Sequence, residues 1–335
     1  MAQQELTTKL YKLYPWLIGG LIIMFIIFHF IYSSFIPKPV SATVKISRGL
    51  SVQEIAKILE QNDIISSRLY FIFWQKLIMP QNPLRADIYN FNGNYNLIDI
   101  IKILKQGVGI KIVIPEGKTL KEIEKIFNDN GFKINLQIYT LANFPETNLI
   151  NFFPRSSSLE GFLAPDTYNF YPDEAEQDII KKLLKNFEQK YLSEILKSEL
   201  DPYQTLILAS IVEKEAKLED DFALIAGILI KRLKNNWPLD VDAPLVYRVC
   251  NGIFCDKKVN KNSIPPNDPF QTYKKIGLIP QPISNPGLKA VRAVVKPQES
   301  EFWYYLTDPV TQKAIFAKSL KEHENNIKTY LKNKN

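Results

Sequence analysis

Ser47-Arg-Gly-Leu-Ser-Val-Gln-Glu-Ile-Ala-Lys-Ile-Leu-Glu-Gln-Asn62 returns 68 positions later as Pro115-Glu-Gly-Lys-Thr-Leu-Lys-Glu-Ile-Glu-Lys-Ile-Phe-Asn-Asp-Asn130. Each copy follows a predicted short strand, Ala42 to Ile46 and Ile110 to Ile114, then a glycine turn. Ser51 and Thr119 stand where a hydroxyl caps a helix, and the Ile positions of the two helices correspond. Two strand, turn and helix units make the chain α+β. Two copies are too few for a solenoid, so they read as related packing units. A small LysM-like module would begin in this way. Glycan binding by either copy stands beside simple structural duplication.

Upstream, Pro15 to Ile36 carries no charge and exceeds the ~20 residues that span a bilayer. Trp16 and Tyr32 lie near its ends, where aromatic belts sit. Lys9 and Lys12 precede it, although Lys38 and Lys45 follow and weaken the charge bias. The expected order is a cytoplasmic tail over 1–14, a transmembrane helix over 15–36, a linker over 37–42 and an exported body. A cleaved signal peptide is the competing reading; the run is long for one and lacks a small-x-small cleavage site. His29 inside the run reads as a packing residue rather than a proton relay.

Downstream, helices alternate with loops rich in Pro and Asn. Asp201-Pro202 is a helix start, and Glu219-Asp-Asp221 opens another that Lys231-Arg-Leu-Lys-Asn-Asn236 closes, with signs that complement the dipole. Trp237-Pro238 stops it. Phe302 to Thr307 and Lys313 to Lys318 flank Asp308-Pro-Val-Thr-Gln312 as a hairpin, before a final helix. Cys250 and Cys255 flank Asn251-Gly-Ile-Phe254, a second hairpin signal, and leave open one local disulfide or two free thiols. Two cysteines cannot build a zinc site alone.

An apolar fraction of 46% with 20 Phe, 16 Tyr and 4 Trp excludes a disordered chain. The formal charge of +7 is spread among Asp and Glu without a polybasic block. No nucleic-acid motif accompanies it. Only His29 and His323 exist, so neither a Ser-His-Asp triad nor a multi-histidine metal site fits, and no Ser-x-x-Lys occurs. No cofactor or metal is implied. Carboxylates and tyrosines remain for chemistry.

Leu206-Ile-Leu-Ala-Ser-Ile-Val-Glu-Lys-Glu215 is an apolar helical pattern that runs directly into carboxylates. At 3.6 residues per turn Glu215 shares a stripe with Leu208, Ile211 and Val212, where desolvation raises a carboxyl pKa. Glu213 points away and precedes Lys217 by four, the favourable order for an ion pair. Glu215 is the candidate acid and Glu213 the candidate salt bridge. The alternative is a solvated, frayed helix end.

Four motifs in order carry a resemblance: Pro115-Glu-Gly-Lys-Thr-Leu120, Leu159-Glu-Gly-Phe-Leu-Ala-Pro-Asp-Thr-Tyr168, Leu208-Ala-Ser-Ile-Val-Glu-Lys-Glu215, and Gly277-Leu-Ile-Pro-Gln-Pro-Ile283 with Asn285-Pro-Gly287. Together, over about residues 43–330, they resemble the endolytic murein transglycosylases of the MltG (YceG-like) family. The resemblance implies a membrane-anchored enzyme that cuts nascent peptidoglycan strands internally, with a LysM-like module over 43–109 and a catalytic domain over 110–335. It implies Glu215 as the catalytic residue. Glycan strands and the inner-membrane bilayer are the implied partners, with peptidoglycan synthases as further candidates. Lytic cleavage of a MurNAc-β-1,4-GlcNAc bond needs one group that acts first as acid and then as base, whereas a glycoside hydrolase normally needs two carboxylates.

Asp242 and the Pro269-Phe-Gln-Thr-Tyr273 segment match places where the family carries Asp and Asn-Thr-Tyr, and Glu160 and Asp166 fall in matched motifs. Glu160, Asp166, Asp242, Gln271 and Tyr273 are assigned to substrate positioning or support of Glu215, with loop capping the other reading, above all for Asp166. Gln271, Phe270, Ile279, Gln281 and Ala314 depart from the family pattern. Gln281 would strain the loop if its place requires positive φ. A two-carboxylate hydrolase pairing Glu215 with Asp242 and a non-catalytic peptidoglycan-binding scaffold are the alternatives.

Overall fold

The computed structural model describes residues 18–332 apart from 26–27, 79–83, 155 and 173. The expected tail, Lys9, Lys12 and Trp16 lie outside those residues. The chain divides into two compact units, one up to Ile110 with Tyr171 and one from Lys111 onward.

In the first unit, α1 (Ile18–Phe35) is long and apolar enough to cross a membrane and is almost wholly unburied. β1 (Lys38–Ile46) pairs antiparallel with β2 (Asp87–Tyr95), from Lys38 opposite Tyr95 to Ile46 opposite Asp87. Pairing thus begins inside the segment expected as a linker. The register sends Val40, Val44, Ile46, Tyr89 and Phe91 to one face, and a slip by one residue would expose them all. α2 (Val52–Gln61), α3 (Arg68–Ile78) and α4 (Leu97–Gln106) complete that core with Ile55, Leu59, Phe71, Ile101 and Leu104.

The second unit opens with β3 (Ile110–Ile114), which pairs with β4 (Asp166–Phe170), and α5 (Leu120–Asp129). After the short α6 (Leu149–Phe152) come α7 (Glu176–Phe187), the one-turn α8 (Ser193–Ile195), α9 (Pro202–Glu215), α10 (Asp221–Lys234), α11 (Ala243–Val249) and α12 (Leu288–Val295). β5 (Tyr304–Thr307) and β6 (Ala314–Ala317) form the predicted antiparallel hairpin, and α13 (Leu320–Ile327) follows. The mixed α+β class stands.

The repeated units keep their local chemistry. Ser51 and Thr119 both cap, and the Glu54 and Glu122 carboxylates in turn accept from the cap N–H, at 2.7 Å and 2.9 Å. Gly49 and Gly117 take φ of 85° and 72°, left-handed values that explain a glycine at each turn.

α9 organises the second unit. Asp201 caps it through Tyr203 and Gln204 N–H at 2.9 and 3.2 Å, and it packs against α8, α10, α11 and α12. Every side chain from Thr205 to Val212 is buried, so the helix has no solvent side over that span. The apolar stripe through Leu208, Ile211 and Val212 is therefore one part of an all-round burial.

Cys250 and Cys255 are disulfide-bonded, with Cα atoms 6.2 Å apart. The Asn251-Gly252 pair does not turn a hairpin. It ends α11: Gly252 N–H donates to Tyr247 O at 2.8 Å and Asn251 N–H to Arg248 O at 3.3 Å, the paired bonds of a Schellman cap.

Candidate active site

The last turn of α9 sends Glu213 and Glu215 in different directions, and two different environments receive them. Glu215 Oε2 accepts a hydrogen bond from the Tyr305 hydroxyl at 3.1 Å. Its carboxyl lines a cavity of about 490 Å³ shared with Asp240, Asp242, Tyr273 and Tyr304. Burial pushes the Glu215 carboxyl up to about 7, and the nearby charge of Asp242 adds to the rise. Tyr305 and the Ala243 N–H oppose it by bonding the charged form.

Two loops hold the cavity's polar wall. Asp242 Oδ1 accepts from the Tyr273 hydroxyl at 2.8 Å, and burial with that carboxylate keeps the phenol well above its ordinary pKa. Asp240 N–H donates to Thr272 O at 3.0 Å and Thr272 Oγ1 donates to Val241 O at 2.6 Å, which fixes one loop against the other. Gln271 is buried beneath them. Its Nε2 donates to Lys261 O and Ile264 O at 3.0 and 3.2 Å, and its Oε1 accepts from Tyr273 N–H, so it shapes the loop and does not line the cavity.

Arg232 of α10 is buried and donates to the carbonyls of Leu239 and Trp303, joining a cavity loop to the strand that carries Tyr305. Leu320, His323, Ile327 and Leu331 line the remaining wall. The His323 ring stacks on Tyr304 at 5.2 Å, and its Nδ1 is buried without a hydrogen-bond partner. Burial holds that imidazole below its ordinary pKa.

Glu213 enters a separate polar knot. Its Oε2 accepts from Gly287 N–H at 3.0 Å, and burial with the charge of Glu116 raises it to about 7. The ion pair with Lys217 expected from spacing does not form. Helix α9 stops at Glu215, so Lys217 is no longer one turn above Glu213, and its Nζ donates to Lys214 O at 3.5 Å. Glu160 is buried in the same knot and accepts from Leu120 N–H, Asn285 Nδ2 and the Tyr247 hydroxyl at 3.0, 3.2 and 3.0 Å. Burial pushes it up to about 8. Asn285 and the 117–118 main chain exchange two hydrogen bonds of 2.8 Å, Gly117 N–H to Asn285 O and Asn285 N–H to Lys118 O.

Of the seven residues singled out from the sequence, Glu215, Asp242 and Tyr273 therefore share the cavity. Glu160 and Glu213 hold the motif segments together behind α9, and Gln271 supports Tyr273. Asp166 belongs to neither group. It accepts from Asn186 and Lys190, and the Lys190 ammonium holds it below the usual carboxylate range. Gln281 has no positive φ, so its side chain is accommodated without backbone strain.

Sequence reasoning missed Arg232, Tyr305 and His323 as cavity residues. Arg232 had a signal: it continues the α10 stripe of Ile225 and Leu229, where a charge is out of place. Nothing in the aromatic run around Tyr305 distinguishes it from Tyr304.

The YceG-like family matches residues 44–329. A Bacillus subtilis protein named endolytic murein transglycosylase is 30% identical over 332 residues, covering 91% of each chain. A Streptococcus pneumoniae protein of the same name is 27% identical over 87% of this chain, which spans 59% of that longer relative. A crystal structure of a YceG-like protein from Listeria monocytogenes superposes with a TM-score of 0.53 and 29% identity, covering 85% of this chain and 98% of that one. A match that runs over residues 44–329, most of the chain's length, means that this chain belongs to the YceG-like family.

Proposed function

We propose that this protein is a lytic transglycosylase acting on peptidoglycan, with Glu215 as its single acid and base. The observation that carries the reading is a half-buried, desolvated carboxyl, raised to about 7, opening on a cavity with hydroxyl and carboxylate walls. Protonated Glu215 donates to the oxygen of the MurNAc-β-1,4-GlcNAc bond as the C1–O bond breaks. The carboxylate so formed takes the proton of the MurNAc 6-hydroxyl while that oxygen bonds to C1. The 1,6-anhydro ring closes and Glu215 regains its proton, with no water consumed. Asp242 and Tyr273 position the sugar. Cuts within nascent strands would end their elongation.

The finer organisation belongs to the same proposal. α1 anchors the chain with its N-terminus in the cytoplasm, residues 43–109 act as a LysM-like glycan-holding module, and residues 110–335 cleave. Glycan strands supplied by peptidoglycan synthases at the extracytoplasmic face of the inner membrane are the substrate. Asp242 in the cavity of Glu215 favours one rival, a two-carboxylate hydrolase.

Mass spectrometry of digested glycan strands separates the two: anhydro ends for the lytic route, reducing ends for hydrolysis. Glu215→Gln, with folding verified by circular dichroism, is expected to abolish release of anhydro fragments. Full activity in that variant would sink the assignment.

A further inference from the structure

α3 has its polarity reversed relative to its neighbours. The exposed positions of α2 are Gln53, Glu54, Lys57 and Gln61, and those of α4 are Lys102, Lys105 and Gln106, as expected for helices covering a core. α3 instead exposes Leu69, Phe73 and Leu77, at 70%, 50% and 62%, one residue per turn along a single stripe. Its opposite side is already committed to the core through the fully buried Phe71 and through Gln75. A stripe of large apolar side chains in water is unfavourable unless something covers it.

The same helix is bonded to the membrane-length helix. Phe30 of α1 meets Tyr70, Phe73 and Trp74 of α3, with ring centroids at 4.4, 5.0 and 5.9 Å. Phe35 meets Trp74 edge-on at 5.5 Å, and Trp74 Nε1 donates to Ser34 Oγ at 2.9 Å. α3 is thus fixed beside the C-terminal end of α1, where a spanning helix leaves the hydrocarbon. Tyr and Trp are the residue types that settle at that depth. Lys76 flanks the stripe, with a stem able to lie on apolar surface while its charge reaches phosphate, and Arg68 at the other end is paired with Glu60 at 3.9 Å.

We infer that α3 is an interfacial helix: its Leu69, Phe73 and Leu77 stripe lies in the headgroup and upper acyl region of the bilayer that α1 crosses. The apolar surface of α1 continues onto α3, so one lipid surface covers both. This assignment rests on α1 spanning the membrane. Its consequence is that the first unit is held against the bilayer by two helices rather than swinging from one.

The test uses the full-length protein in vesicles of phosphatidylethanolamine and phosphatidylglycerol. Single cysteines replace Leu69, Leu77, Ile22 of α1, or Lys57 of α2, and carry a nitroxide. The native cysteines are disulfide-bonded and do not react. Leu69 and Leu77 take no part in the ring contacts with α1, so labelling them leaves the fold intact. Collision rates with oxygen, which concentrates in lipid, and with a water-soluble nickel chelate report the surroundings. The expected result is an oxygen-to-nickel ratio several-fold higher at Leu69, Leu77 and Ile22 than at Lys57. A lipid ratio at Ile22 with a water ratio at Leu69 and Leu77 overturns the interfacial assignment and leaves α1 as an anchor. Low rates with both reagents at Leu69 and Leu77 mean that protein covers the stripe, and also overturn it. A water ratio at Ile22 removes the spanning helix and this inference with it.

Discussion

At the scale of single residues, two glutamates two positions apart are tuned by different partners. Glu215 owes its near-neutral pKa to burial, against which the Tyr305 hydroxyl pulls by stabilising the carboxylate. Removing that donor in Tyr305→Phe raises the Glu215 pKa further. The kcat/KM profile is expected to lose activity as pH rises through about 7 in the native enzyme, because the acid must start protonated. In Tyr305→Phe the alkaline limb moves to higher pH while the plateau falls; a limb that stays in place would separate Tyr305 from the acid. The raised pKa of Glu215 was legible, because an apolar run ending in carboxylates is a local pattern. Tyr305 was not, since 90 positions separate it from Glu215 and only the folded hairpin brings them together.

At the scale of elements, α10 shows how closely the site depends on packing elsewhere. A Cβ at Gly227 would stand 2.0 Å from the main-chain oxygen of Gln298, whose N–H donates to Ala223 O at 2.9 Å. Alanine in a helix is normally better than glycine by ~1 kcal/mol. Here the clash with rigid backbone outweighs that gain, and Gly227→Ala is expected to destabilise by about 1–3 kcal/mol in chemical denaturation. The displaced segment also carries Ser300 and Trp303, which Lys231 and Arg232 hold, so activity is expected to drop with stability. The capped repeats were readable because each cap is local in sequence, from Ser51 to Glu54 and from Thr119 to Glu122. The pairing of β1 with β2 was not, because its partner strand lies beyond two intervening helices and is rich in Asn rather than apolar residues. Glu213 was misread for a related reason: its ion pair assumed a helix that continues past residue 215.

At the scale of the whole molecule, carboxyls desolvated by burial or half-burial set the response to pH. Glu160, Glu213 and Glu215 are raised from 4.5 to about 8, 7 and 7, so the folded chain holds protons that the unfolded chain releases. Their contribution to stability is complete below about pH 4.5 and is lost as pH rises toward 8. Asp166, held low by Lys190, works in the other direction and loses its contribution only as pH falls below the ordinary carboxylate range. The melting temperature is therefore expected to fall from mildly acidic pH to pH 8, and Glu160→Gln to flatten that slope; an unchanged slope would mean that Glu160 is ionised in the fold. The cavity has one more property, which concerns time. Tyr305 and the wall residues Leu320, His323, Ile327 and Leu331 come late in the chain, so a ribosome makes them after Glu215, Asp242 and Tyr273. Glu215 acquires its hydrogen-bond partner and this wall only after those later residues are made, so a nascent chain would carry Glu215 without a finished cavity around it.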